Sequence, residues 1–142
     1  MIRSLCASLA VAVTMLGATA ETLPFEVTLP PGAKTVKQAG PDFDVYYFNL
    51  GDKTLAGAYV GGYPQFDIQP STAPFQQTVE CKDGAPLRRQ VLLVVPEDGG
   101  GHFYIHAWTV AGADRALAEA VLTSLRVPGK NGGVRAADLK GC

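Results

Sequence analysis

The chain has 142 residues, 47% of them hydrophobic, and its 12 Lys and Arg against 13 Asp and Glu give a formal net charge of −1. It holds no basic block or Lys/Arg stripe, so nucleic acid and anionic membrane surfaces are poor partners, because both reward clustered positive charge. The length suits one domain with a hydrophobic core and leaves little room for two.

Residues 1–20 combine Arg3, an apolar stretch from Leu5 to Leu16, and Ala18-Thr19-Ala20 ahead of Glu21. That is the pattern of a secretory signal peptide cleaved after Ala20. The apolar stretch stops short of the roughly 20 residues that a membrane span needs. Cys6 stands at the opening of this stretch, too early for lipoprotein processing. Cleavage leaves residues 21–142 as a single globular domain with no membrane span, periplasmic or secreted. Its formal charge is −2, since Arg3 leaves with the leader.

Cys81 and Cys142 remain, an even pair that an oxidising compartment is expected to join in a disulfide tying the tail to mid-chain. The rival is a reactive or intermolecular thiol at Cys142. Their separation does not resemble the CxxC spacing of redox or zinc motifs.

In chain order, Phe25 to Leu29 alternates apolar and polar residues and then meets Pro30-Pro31-Gly32, which predicts a short strand. Thr35 to Gln38 is a second candidate, followed by the turn Gly40-Pro41-Asp42. Phe43 to Leu50 and Leu55 to Gly62 flank the turn Gly51-Asp52-Lys53 and read as a hairpin. Residues 64–84 carry Pro64, Pro70, Pro74 and Gly84 and read as an irregular excursion with room for a short strand from Phe75 to Cys81. A connection this long marks a functional loop or a missed element.

Val91 to Val95 do not alternate at all, as expected of a central strand covered on both faces. Pro96 ends that run and Asp98-Gly99-Gly100-Gly101 turns the chain. The stretch His102 to Val110, rich in aromatic and β-branched residues, returns antiparallel beside it. A helix follows. Leu117, Ala118, Val121, Leu122 and Leu125 fall on one stripe, while Arg115, Glu119, Thr123 and Arg126 face away. Asp114 is placed as the N-cap, Arg115 and Glu119 as an i,i+4 pair, and Pro128-Gly129 as the stop. The tail to Cys142 reads as irregular.

Strands followed by one C-terminal helix predict an α+β fold: an antiparallel sheet of about five to six strands with the amphipathic helix packed on a face. The order of strand, Gly-rich turn, strand and short helix ending Leu122-Thr123-Ser124-Leu125-Arg126 resembles the PsbP/DcrB-like group of small exported α/β sandwiches. The resemblance covers the last third of the chain. It implies a fold and an accessory role and carries over no catalytic residues.

His102 and His106 have the HxxxH spacing that on a helix presents two imidazoles to one metal. On a strand they stand about 13 Å apart, too far to share an ion held at about 2 Å from each ligand. No metal or other cofactor is expected. Strand alternation puts His102, Tyr104, His106 and Trp108 on one face, and Phe103, Ile105, Ala107 and Thr109 on the other, which suits the helix-facing core. The first set has apolar bodies with polar tips, a type enriched where proteins meet ligands. Tyr59 joins it from the neighbouring hairpin, with Tyr46 or Tyr47 as further candidates. The bland alternative is a second core layer beneath residues 64–84.

Asp42 or Asp44 is a candidate to orient a histidine, but the chain has no GxSxG, P-loop, HExxH or CxxC motif. Tyr63 and Phe66 form a third candidate, anchors for a protein contact. The expected function is therefore non-catalytic binding or accessory association with a protein or small ligand of the cell envelope. The alternatives are a hydrolase or metal-dependent enzyme using His102 or His106, and an inhibitor of a secreted enzyme.

Overall fold

The structure is a computed structural model that describes residues 22–63 and 73–142. Residues 1–20, expected as a signal peptide, and Phe66 lie outside the described residues. Six strands form one antiparallel sheet: β1 Lys34–Ala39, β2 Phe43–Leu50, β3 Lys53–Gly61, β4 Phe75–Lys82, β5 Ala85–Pro96 and β6 His102–Thr109, in the order β1-β2-β3-β6-β5-β4. One helix follows, α1 Arg115–Ser124, and then the two-residue strands β7 Arg126–Val127 and β8 Val134–Arg135 pair with each other. The class is α+β. Among the described residues no helix is long and apolar enough to cross a membrane.

Both expected hairpins form. Gly99, Gly100 and Gly101 all take positive φ in the β5–β6 turn, a conformation that only glycine adopts without strain. All of Val91 to Val95 are buried, so the absence of alternation did report cover on both faces. β5 is interior but lies next to the edge strand β4, with β3 and β6 at the centre.

The register sorts the residues into two faces. Phe48, Ala56, Ala58, Val91, Leu93, Ile105 and Ala107 belong to one buried cluster with Ala118, Val121, Leu122 and Leu125. Burying each large aliphatic side chain contributes about 1.5–3 kcal/mol. Asp114 caps α1 by accepting from the Leu117 amide at 3.0 Å.

Three expectations are corrected. Phe25 to Leu29 is not a strand of the sheet: its backbone bonds go to the end of α1 and beyond. The Glu26 and Arg126 amides and carbonyls pair reciprocally, and the Thr28 amide donates to Ser124 Oγ. The alternation was real, because Phe25 is buried with Tyr46 and Phe48 edge-on to it at 5.2 and 6.1 Å between ring centroids. α1 ends at Ser124, before Pro128: the Ser124 hydroxyl donates to the Val121 carbonyl at 2.7 Å, and Leu125 turns extended while remaining fully buried.

The short strand for which the 64–84 stretch left room, Phe75 to Cys81, forms as the edge strand β4, paired along its length with β5. Its polar composition suits an edge, where one side faces no neighbouring strand. The tail is also more ordered than its composition suggests. The Ala136 amide donates to the Leu125 carbonyl, and Cys142 is disulfide-bonded to Cys81 with a Cα separation of 5.9 Å.

Candidate functional site

The face opposite the buried cluster carries the aromatic set. Cross-strand register aligns Val45, Tyr59, His106 and Leu92 in one row, and Tyr47, Gly57, Trp108 and Gln90 in the next. These two rows and their flanks enclose a recess of about 380 Å³, lined by Phe43, Val45, Tyr47, Tyr59, Arg88, Gln90, His106 and Trp108. Four adjacent strands therefore contribute to one concavity on a sheet of fixed register.

Glycine shapes its floor. An alanine Cβ at Gly57 would stand 2.5 Å from Trp108 Cζ2 and 2.7 Å from Cε2, so the indole lies across the bare backbone of β3. The Tyr59 ring lies in the same way over Gly61. Phe43 stacks on Tyr59 with centroids 5.6 Å apart and planes at 33°, and His106 meets Trp108 at 5.5 Å and 62°. The small residues seen in the returning strand thus give the aromatic rings somewhere to lie flat.

His106 is 5% exposed, and its Nε2 stands 2.9 Å from Gln90 Oε1. An amide oxygen there fixes the imidazole proton on Nε2. Burial lowers the His106 pKa from its usual 6.5 to about 4, because a charged ring would lose its hydration. At neutral pH the ring is uncharged.

The candidates named from sequence separate into groups. Tyr59, His106 and Trp108 converge in the recess, joined by Tyr47. Tyr104 is half-buried, one row further along the same face, opposite Gly61 and Val94. His102 is exposed at the start of β6 opposite Pro96, so the two histidines share neither burial nor neighbours. Among the described residues no group of three His, Cys, Asp or Glu is placed to hold a metal. Tyr46 is excluded from the recess: it is 3% exposed on the other face, against Phe25.

Asp44 does not orient a histidine. Its register with Val60 puts it on the opposite face from His106, 3.9 Å from Lys37 Nζ. Tyr63 is 82% exposed, and its amide lies 3.4 Å from the Tyr59 hydroxyl.

Phe43, Val45, Arg88 and Gln90 were not anticipated. The signal for the last two was present: the β5–β6 hairpin pairs Gln90 with Trp108, and strand parity then puts Arg88 and Gln90 on the aromatic face. A second cavity of about 830 Å³ lies between the β5–β6 turn and the segment 127–134. It is larger, but turn and tail residues make most of its wall and no aromatic cluster converges on it. No family model, curated protein or solved structure matches this chain.

Proposed function

We propose that this chain is an exported, non-catalytic binding domain in which α1 covers one face of the sheet and the aromatic recess on the other face takes a ligand. The observation that carries the reading is the convergence of Tyr47, Tyr59, His106 and Trp108 from three strands on one recess. Pockets of this kind combine apolar and aromatic walls with a few polar groups that fix orientation. The accessory role implied by the PsbP/DcrB-like resemblance is of the same kind. The disulfide and the leader pattern support export, since such bonds persist in oxidising compartments.

His106 suits binding better than general-base chemistry. Its Nε2 meets the Gln90 amide oxygen, and a pKa near 4 makes it a weak base at neutral pH. Trp108 is the only tryptophan, so its emission reports on the recess alone. Titration with envelope-derived small molecules is expected to shift that emission, with loss of the effect in Tyr59→Ala and retention in His102→Ala. An emission that no such fraction alters, together with unchanged ligand capture by Trp108→Ala, would overturn the reading.

A second reading rests on Tyr63, whose exposed ring follows directly on β3 beside the recess. It would anchor a protein partner, including a secreted enzyme that the domain inhibits. Loss of partner capture on Tyr63→Ala, with the Trp108 titration intact, is the result that favours it.

A further inference from the structure

We infer that the ligand of the recess is a small ring-bearing carboxylate, an assignment that rests on the binding reading above. The argument is one of donors, acceptors and charge. Among the described residues, none of the eight that line the recess is Asp or Glu, and the neutral state of His106 leaves Arg88 as the only charged group of those eight. Gln90 Oε1 is already engaged by His106 Nε2, which leaves the Gln90 amide NH₂, the Arg88 guanidinium, the Trp108 indole N–H and the tyrosine hydroxyls as donors. The tyrosine hydroxyls and the imidazole Nδ1 are acceptors by type, but the one charged donor among these residues selects an anionic, acceptor-rich head group.

Arg88 is exposed and makes no ion pair among the described residues. Its cross-strand neighbour Glu80 occupies the same face of β4 but is not one of the lining residues. A guanidinium offers two parallel N–H groups in a plane, which match the two oxygens of a carboxylate. A single cation suits a monoanion. The body of the ligand is set by Trp108, a half-buried flat ring held over Gly57, which favours an apolar ring stacked on it; Tyr59, 6% exposed and against Phe43, forms part of the wall. A volume of about 380 Å³ lies at the small end for ligand sites and admits one ring with a short arm. A neutral sugar fits less well, because it offers no charge to the Arg88 guanidinium.

The test compares phenylacetate with phenylacetamide, matched in shape and differing in charge, by following the Trp108 indole N–H and the Gly57 amide in ¹⁵N-correlated spectra. Phenylacetate is expected to bind at least tenfold more tightly. Arg88→Gln is expected to remove that preference while keeping the amide dispersion of the folded protein, since an exposed arginine carries little of the fold. Equal affinities in the unaltered protein, or a preference that survives Arg88→Gln, would overturn the carboxylate assignment and leave a binding recess standing. Failure of both compounds to move either resonance at millimolar concentration would overturn the carboxylate assignment and the recess reading together.

Discussion

Arg89 Nε donates to Glu119 Oε1 at 3.0 Å, joining β5 to α1 through a guanidinium that is only 3% exposed. Its Nη1 also donates to Gln77 Oε1 at 3.2 Å and to the Lys140 carbonyl at 2.7 Å, and the Lys140 amide donates to Gln77 Oε1 at 3.0 Å. One buried cation therefore ties together the helix, two strands and the tail. A charge held out of water is tolerated when it is paired and hydrogen-bonded, and here Glu119, Gln77 and Lys140 accept from Nε and Nη1. Local helix spacing pairs Glu119 with Arg115. The structure pairs it with Arg89, because an ion pair in a less hydrated setting outweighs one on an exposed helix surface.

Arg89→Ala is expected to destabilise the fold by about 3 kcal/mol, at the lower end for breaking a buried pair because Glu119 keeps 25% of its side chain in contact with water. Glu119→Gln, which preserves an acceptor, is expected to cost about 1 kcal/mol. Urea midpoints of the two variants and their double mutant give the coupling. Additive losses would show that the pair is not the link between helix and sheet.

The Cys81–Cys142 bond closes a separation of 61 residues and is expected to stabilise the fold by roughly 4 kcal/mol on the chain-entropy model. The Arg89 and Gln77 bonds to Lys140 hold the same tail. Reduction is therefore expected to lower the urea midpoint while leaving part of the Lys140 amide protection intact. Arg89→Ala is expected to remove that remainder. A Lys140 amide that exchanges freely on reduction alone would show that the disulfide is the tail's only restraint.

How much was legible in the sequence depended on the range of the interactions. Strand parity in β6 separated Ile105 and Ala107 from His106 and Trp108, because alternation is a local property of the backbone. The Asp114 cap was legible for the same reason. Phe25 to Leu29 was misassigned because alternation specifies a buried side, not the partner that takes the backbone hydrogen bonds. β4 was legible only as room for a short strand from Phe75 to Cys81, since its polar residues carry little hydrophobic pattern. The recess needed the register of four strands at once, so only its members on β6 and Tyr59 on β3 were named, with Tyr46 and Tyr47 left as alternatives.

Gly57 tests whether the sheet surface was cleared for Trp108. Its φ lies outside the left-handed region, so Gly57→Ala adds no backbone strain, and its effect comes from the Cβ that would stand 2.5 Å from the indole. The ring is expected to be displaced toward solvent. This should appear as a red-shifted emission and greater acrylamide quenching, with a stability loss of about 1–3 kcal/mol typical of overpacking. Unchanged quenching in a folded Gly57→Ala protein would show that the indole has room to move within the recess, and the recess would then not be preorganised.

The pH dependence of stability follows from His106. Folded, its imidazole titrates near 4, and unfolded it returns to about 6.5, so between these values the unfolded chain binds a proton that the folded chain refuses. The His106 contribution is therefore complete above about pH 6.5 and is lost progressively as pH falls toward 4. The loss is bounded at roughly 3 kcal/mol by the size of the shift. Thermal melts across this range are expected to show a steeper decline for the unaltered protein than for His106→Gln, which retains a side-chain donor for Gln90 but cannot titrate. The difference between the two should flatten below about pH 4, once both states of the imidazole are protonated. Parallel declines would mean that the ring takes up its proton in the folded state, and the recess would then gain a second cation beside Arg88 under mildly acidic conditions.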